Sequence, residues 1–435
     1  MNAGSPAAAA VRVALAGIAG YGDEYLASLL NDPRATGTQL VGVVDTAPQR
    51  CRRLEQLRRR DVPIHSSMEN LFASAGPVDL MMIATPIHLH ARHTCFALKH
   101  GANVLCEKPL AATIEDAVRM AECERAAGPG KFVAIGYQWS FSDAVQALKR
   151  DILSGEFGRA IRLKTICFFP RAVSYFSRND WAGRLRTSGG EHVMDSPANN
   201  ATAHYLHNML YLLGAARETA AMPATVQAEL YRANEIENYD TAALRATLAS
   251  GCELLFYTTH AVPDRLGPRC HFEFENAVVE YDFVEQPRFV ARFNNGEVRD
   301  YGDPGRDRTL KIWQSIDAVR TGAPVACGIR GATPHTVAVV AAQRSVPAIA
   351  TFPQSARHAH QHNGETMICI DGLDEALNEC FARGILPAER GDLSWSHAGA
   401  AVDCGDLLDV AFPPPGRVAV TTHATSPRAA SLYAS

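Results

Sequence analysis

The sequence predicts an α/β protein of two domains: a doubly wound parallel sheet, then an α+β domain with an open, mainly antiparallel sheet. Two observations predict it. Up to about residue 137, short apolar runs alternate with segments of helical periodicity, the pattern of helices packed on a parallel sheet. After Ala224 the period changes to alternation, the pattern of antiparallel strands with one buried face. At 435 residues the chain is too long for one ordinary domain and long enough to bury a large core.

Val11 to Ala16 reads as a short strand that runs into Gly17-Ile18-Ala19-Gly20-Tyr21-Gly22, and residues 23–30 carry an apolar helical face. Strand, glycine turn, helix is the context a dinucleotide fingerprint requires. Gly17 permits the tight turn. Ala19, beside Gly20, stands where backbone must approach a pyrophosphate, and Gly22 lets helix and strand pack closely. Free N–H groups at the helix start receive phosphates, so the first domain is read as Rossmann-type. Leu40 to Asp45 is the second strand, and Asp45 lies farther from Gly17 than the usual roughly 20 residues. A carboxylate there would accept hydrogen bonds from ribose hydroxyls and repel a 2′-phosphate, which favours NAD over NADP; an exposed turn aspartate is the alternative.

Val78 to Ala84 is the third strand, ended by Thr85-Pro86, and His88 to His100 reads as a helix. His88, His90 and His93 have no nearby carboxylate or cysteine to complete a metal set. Thr85, Pro86 and the His88–His90 turn are read as a loop beside the cofactor, and no metal site is expected. Asn103 to Cys106 is the fourth strand and ends at Glu107-Lys108-Pro109; a helix over 114–127 and a strand over 131–136 follow. Lys108 stands at a strand end, where open α/β sheets place their ligands. It is the leading candidate for the chemical centre, with a plain salt bridge to Glu107 as the alternative.

These residues carry a resemblance. The Gly17–Gly22 turn, Asp45, Thr85-Pro86 with His90, and Glu107-Lys108-Pro109-Leu110 resemble the glucose–fructose oxidoreductase / inositol dehydrogenase (Gfo/Idh/MocA) family, over roughly residues 11–350. The resemblance implies a two-domain, NAD(P)-dependent oxidoreductase of sugars or cyclitols, with its lysine facing substrate and nicotinamide. It implies a cofactor site from Gly17 to Gly22, with Asp45, Thr85, Pro86, His90, Glu107 and Lys108. It also implies a cis peptide before Pro109 and a homodimer or homotetramer formed through one face of the second sheet.

Gly136 to Phe141 reads as the hinge out of the first domain, residues 11–137. The second domain is expected over 138–350, with a helix over 143–153, a strand over 160–169, and a polar, aromatic loop from Pro170 to Gly190. Asp195-Ser196-Pro197-Ala198-Asn199-Asn200 opens a long helix to Leu213, with Asp195 or Ser196 as cap. Alternating strands follow, then helices over 310–320 and 333–345 that return to the core. In the family the resemblance points to, an Asp and a His four residues later share one helical face. Here Asp195 is present but the His position holds Asn199, and an amide cannot accept a proton at neutral pH. Lys108 is then the first proton acceptor, provided its pKa falls from about 10.4 towards 7–8. His192 is the second and His204 the third. Tyr137, Trp139, Trp181, Arg184 and Asn200 are candidate substrate contacts beside Lys108, Asp195 and Asn199; core aromatics and a surface ion pair are the alternative.

A net charge of −4 with interspersed signs argues against nucleic acid. No apolar run is long enough to span a membrane. The cysteines form no C-x-x-C pair, which reads as reduced thiols in a cytoplasmic protein. Residues 1–10 and the tail after 415 are expected to be flexible, and 351–435 to be an appended extension anchored by Trp395. The functional expectation is an NAD-dependent dehydrogenase of a secondary hydroxyl on a sugar, sugar derivative or cyclitol. Two alternatives stay open: a redox-cycling lyase or glycosidase with tightly held cofactor, and a non-catalytic dinucleotide-binding sensor or partner subunit.

Overall fold

The computed structural model describes residues 9–411. The terminal stretches expected to be flexible fall almost wholly outside them. In the first domain the strands are β1 (Val11–Ala16), β2 (Thr38–Val44), β3 (Ile64–His65), β4 (Leu80–Ile83), β5 (Asn103–Cys106) and β6 (Val133–Ile135). They form one parallel sheet in the order β3-β2-β1-β4-β5-β6, the order of a doubly wound dinucleotide fold. Every residue of β4, β5 and β6 is buried, because helices cover both sheet faces; that is why these strands read as unbroken apolar runs. The helices are α1 (Gly22–Asn31), α2 (Leu54–Arg59), α3 (Met68–Ser74), α4 (His90–Lys99) and α5 (Ile114–Ala126). Thr113 caps α5, its hydroxyl accepting the Asp116 N–H at 3.1 Å, a contact worth about 1 kcal/mol over alanine.

In the second domain come α6 (Asp143–Leu153), β7 (Ala160–Phe168), α7 (Val173–Phe176) and α8 (Ala203–Leu212). Strands β8 (Pro223–Arg232), β9 (Thr241–Leu248), β10 (Glu253–Thr259), β11 (Leu266–Phe274), β12 (Ala277–Asp282), β13 (Gln286–Phe293) and β14 (Val298–Gly302) complete the large sheet, edged by short β15 (Ala350–Thr351). The order is β14-β13-β12-β11-β7-β10-β9-β8-β15. The sheet is mainly antiparallel, but β10 pairs β7 in parallel. The expected long helix is broken: residues Pro197–Ala201 form one π turn before α8. Helices α9 (Leu310–Thr321) and α10 (Ile329–Ser345) return to the first domain, α9 against β1, β4 and β5, and α10 against α5 and β6.

The extension forms the hairpin β16 (Arg357–His362) and β17 (Glu365–Ile370), then α11 (Leu373–Arg383). It lies on the outer face of the large sheet. Phe352, Leu373, Leu377 and Trp395 share a core with Ile166, Leu255 and Tyr257, whose strand neighbours Phe256 and Leu254 face the other way into the main core. Trp395 packs edge-on against Tyr231, ring centroids 5.0 Å apart. The outer face over β7, β8, β9 and β10 is thus covered from within the chain.

The expectation of reduced thiols holds only in part. Nine cysteines are free and buried, but Cys95 on α4 and Cys123 on α5 form a disulfide. The two helices pack side by side and bring the Cα atoms to 5.3 Å, a proximity that linear spacing does not reveal. Among the described residues no helix is long and apolar enough to cross a membrane.

Candidate active site

The glycine turn is built for close approach. Gly17 holds φ +81°, and a Cβ there would lie 2.6 Å from the Ala84 carbonyl; one on Gly22 would lie 1.9 Å from the Gly17 carbonyl. No side chain fits either place. Asp45 braces the turn: its carboxylate accepts the Ile18 N–H at 2.9 Å and the Ala47 N–H at 2.8 Å. Clefts open on both sides of the turn. One, of about 360 Å³, is lined by Gly17, Asp45, Thr85 and Pro86. The other, of about 460 Å³, is lined by Ala19, Gly20, Tyr21, Arg50 and Arg308. Turn, bracing carboxylate and two clefts fit a dinucleotide laid across the helix start. Arg50 lines the cleft away from Asp45, so Asp45 faces its own cleft without that cation.

Two residues expected to touch the cofactor are internal struts instead. His90 is buried; its Nδ1 lies 2.8 Å from the Pro109 carbonyl and its Nε2 3.0 Å from that of Thr85. Burial holds its pKa below the usual imidazole value. It ties the Thr85 loop to the cis Lys108–Pro109 peptide. Glu107 is also buried and accepts from the Tyr25 hydroxyl at 2.6 Å, from the Lys108 N–H at 3.2 Å and from the Lys311 ammonium of α9. The Glu107–Lys108 salt bridge, the alternative reading from sequence, does not form; Lys311 takes the carboxylate. Ile18 is buried and offers only backbone.

Lys108, half-buried, points its ammonium at Asn200, 2.8 Å from the carbonyl and 3.0 Å from the side-chain oxygen. Asn200 in turn donates to Asp195 Oδ1 at 2.8 Å, and Asp195 Oδ2 accepts the Gly183 N–H at 2.8 Å. Desolvation pulls Lys108 down to about 8, against the opposing pull of Glu107, with Lys311 lowering it further. Burial raises Asp195 above its ordinary value, and the Gly183 N–H, Arg178 and Asn200 oppose this. Asp195 is not the helix cap; Ser196 is, accepting the Asn199 N–H at 3.2 Å.

The π turn moves the register by one residue, and this corrects the reading from sequence. With i+5 spacing it is Asn200, not Asn199, that shares a face with Asp195. Asn199 is buried, donates to the Met194 carbonyl at 3.1 Å, and leaves its Oδ1 without a partner. His204 stands four residues beyond Asn200, half-buried with an unpartnered Nδ1. Burial, and after it the Lys108 charge, hold His204 well below the usual imidazole range. His192 belongs elsewhere: it sits in a bridge with Arg186 and senses Arg186, Glu115 and Asp116.

The expected substrate aromatics are mostly core. Tyr137 is fully buried, stacked on His207 at 3.8 Å with its hydroxyl 2.9 Å from His335 Nδ1. Trp139 packs edge-on among Tyr205, Tyr281 and Phe289. Trp181 is half-buried against Ile87, Ala112 and Val193. The Arg184 side chain is exposed; only its backbone carbonyl reaches the site, accepting the Asp195 N–H at 2.9 Å. Arg178 takes that place, 3.7 Å from Asp195. Lys311, Tyr25, Arg171 and Arg178 escaped sequence reading; His204 was ranked third among the proton acceptors, and its place four residues after Asn200 follows from the π turn. Among the described residues no group of three His, Cys, Asp or Glu side chains could hold a metal ion. His358, His360 and His362 alternate along the partly exposed strand β16.

Residues 11–136 match the family model described as "Oxidoreductase family, NAD-binding Rossmann fold" (GFO_IDH_MocA). A 1-carboxy-3-chloro-3,4-dihydroxycyclohexa-1,5-diene dehydrogenase of Comamonas testosteroni is 34% identical over 33% of this chain and 35% of its own length. Inositol 2-dehydrogenase 1 of Saccharopolyspora erythraea is 30% identical over 38% of this chain and 48% of its own. The matched part thus spans between a third and a half of these curated relatives. The WlbA dehydrogenase from Bordetella pertussis, solved with NADH and UDP-GlcNAcA, superposes with a TM-score of 0.62 over 78% of this chain and 97% of that one, at 20% identity. An oxidoreductase from Agrobacterium radiobacter superposes with a TM-score of 0.61 over 92% and 99%, at 16% identity. These likenesses extend the shared fold well beyond the first domain.

Proposed function

We propose, from the match of residues 11–136 to the GFO_IDH_MocA oxidoreductase model, that the protein is an NAD-dependent dehydrogenase oxidising a secondary hydroxyl of a sugar, sugar derivative or cyclitol. The observation that carries the reading is Lys108: an ammonium at the end of β5, held among the described residues only by Asn200 oxygens and drawn down to about 8. A base of that pKa is matched to work near neutral pH. When bound, the nicotinamide supplies a hydride acceptor.

The chain's residues supply the rest. Gly17 to Gly22 hold the pyrophosphate on the α1 N-terminus, and Asp45 holds the ribose hydroxyls and turns away a 2′-phosphate. Lys108 faces the reacting hydroxyl and takes its proton as the hydride leaves the carbinol carbon. Asn200 orients Lys108, and Asp195 orients Asn200. His204, kept neutral by burial and by Lys108, is too weak a base to compete at neutral pH and serves as a hydrogen-bonding partner for a substrate hydroxyl.

The test is a panel of polyols with NAD, read by absorbance of the reduced cofactor. Turnover that Lys108→Met abolishes while NAD still binds supports the reading. NAD binding without turnover on any polyol contradicts it.

A further inference from the structure

Lys108 and Arg178 act on Asp195, and Arg171 stands beside them at the Tyr175 ring; the three cations are poorly neutralised. Lys108 makes no ion pair among the described residues, since Lys311 occupies its neighbour Glu107. Arg178 lies 3.6 Å over the Tyr175 ring and 3.7 Å from Asp195. Arg171 lies against the same ring at 4.6 Å, has no ion pair among the described residues, and buries its Nε without an acceptor. Among the described residues Asp195 is the one carboxylate paired with this group, and its two oxygens already accept from Asn200 and Gly183. Three positive charges against one negative leave an excess of two. A buried guanidinium N–H without an acceptor is costly, and its planar fork matches a carboxylate or phosphate. Tyr175 gives both arginines a common aromatic wall.

We propose that the substrate carries an anionic group, carboxylate or phosphate, received by Arg171 and Arg178 while Lys108 faces the hydroxyl to be oxidised. The substrate class is therefore an acidic sugar or cyclitol, or its phosphate ester. This rests on the dehydrogenase reading for the reaction but not for the binding, and the two can be separated.

The full-length protein saturated with NAD is titrated calorimetrically with glucose, glucuronate and glucose 6-phosphate, and with the galactose counterparts. The same compounds are assayed for reduced cofactor. At least one anionic series should bind 10-fold or more tightly than its neutral parent, roughly the value of one charge-assisted hydrogen bond. Whether uronates or phosphates lead identifies the anion. Arg171→Gln and Arg178→Gln should each weaken the anionic series by roughly 10- to 100-fold and shrink its advantage over the neutral sugar, and Arg171→Lys should keep part of it. Arg178 is exposed, so its variant gives the reading even where Arg171→Gln does not fold. Equal binding of neutral and anionic sugars, no binding of either anionic series, or an anionic advantage unmoved by both glutamine variants overturns the proposal. Arginine-dependent anion binding without reduced cofactor upholds it and removes the dehydrogenase reading. Turnover without anionic preference does the reverse.

Discussion

Two lysines lie near Glu107 and have opposite fates. Lys311 comes from α9, is fully buried, and is paired with the Glu107 carboxylate that also accepts from Tyr25. Its pKa rises despite burial, because Glu107 and Tyr21 outweigh desolvation. Lys108 is half-buried and among the described residues donates only to neutral oxygens of Asn200, so desolvation prevails and its pKa falls to about 8. The difference lies in the partner, since both groups lose water. By claiming Glu107, Lys311 leaves Lys108 without a salt bridge. One lysine ties the second domain to the strand end of the first; the other has no carboxylate partner among the described residues.

The sharpest way to break this contrast is to exchange the partners. Lys108→Met is expected to lower turnover by about 10²- to 10⁴-fold, the range for a lost acid–base group, without loss of NAD affinity by calorimetry or of melting temperature. Lys311→Met strands Glu107 in the interior and should cost roughly 3–5 kcal/mol in denaturant unfolding. Adding Glu107→Gln should recover part of that loss, because the stranded charge is gone. A Lys311→Met protein as stable as wild type would show that the lock carries no load.

A third expectation concerns acid. Burial draws His335 down to about 4 from an ordinary 6.5. Above pH 6.5 it is neutral in both folded and unfolded chains and stability is full. Between about 6.5 and 4 the unfolded chain takes up a proton that the folded chain refuses, so stability falls as pH falls. The loss approaches about 3 kcal/mol from this group at the low end. His335→Gln should flatten that part of the melting-temperature profile. The smallest effect is His204→Gln, expected to reduce turnover by about 10-fold, one hydrogen bond's worth, without moving the pH at which activity rises.

The Rossmann half was legible because its signals are local. Gly17 and Gly22 are dictated by backbone contacts a few residues away, and β4, β5 and β6 announce their burial on both faces by composition. The second half of the site was less legible for three physical reasons. The π turn at Pro197–Ala201 spends one extra residue, so counting by four chose Asn199 where the fold presents Asn200. Lys311 reaches Glu107 across the domain boundary, and no periodic pattern reports a pairing between residues so far apart in sequence. Tyr137 and Trp139 look alike whether they line a cavity or fill a core, and here they fill it. His90 was read as a cofactor contact because it follows the Thr85-Pro86 loop; the loop needed a strut, and His90 is that strut.

The central claim is that Lys108, freed by Lys311, is the acid–base group. The most direct test is the pH dependence of kcat/KM, followed by reduced-cofactor absorbance from about pH 6 to about 10, for wild type, His204→Gln and Lys108→Met. The account predicts a rise with an apparent pKa of about 8 in wild type, the same rise in His204→Gln, and its disappearance in Lys108→Met. A rise that survives in Lys108→Met, or that vanishes in His204→Gln, would contradict it.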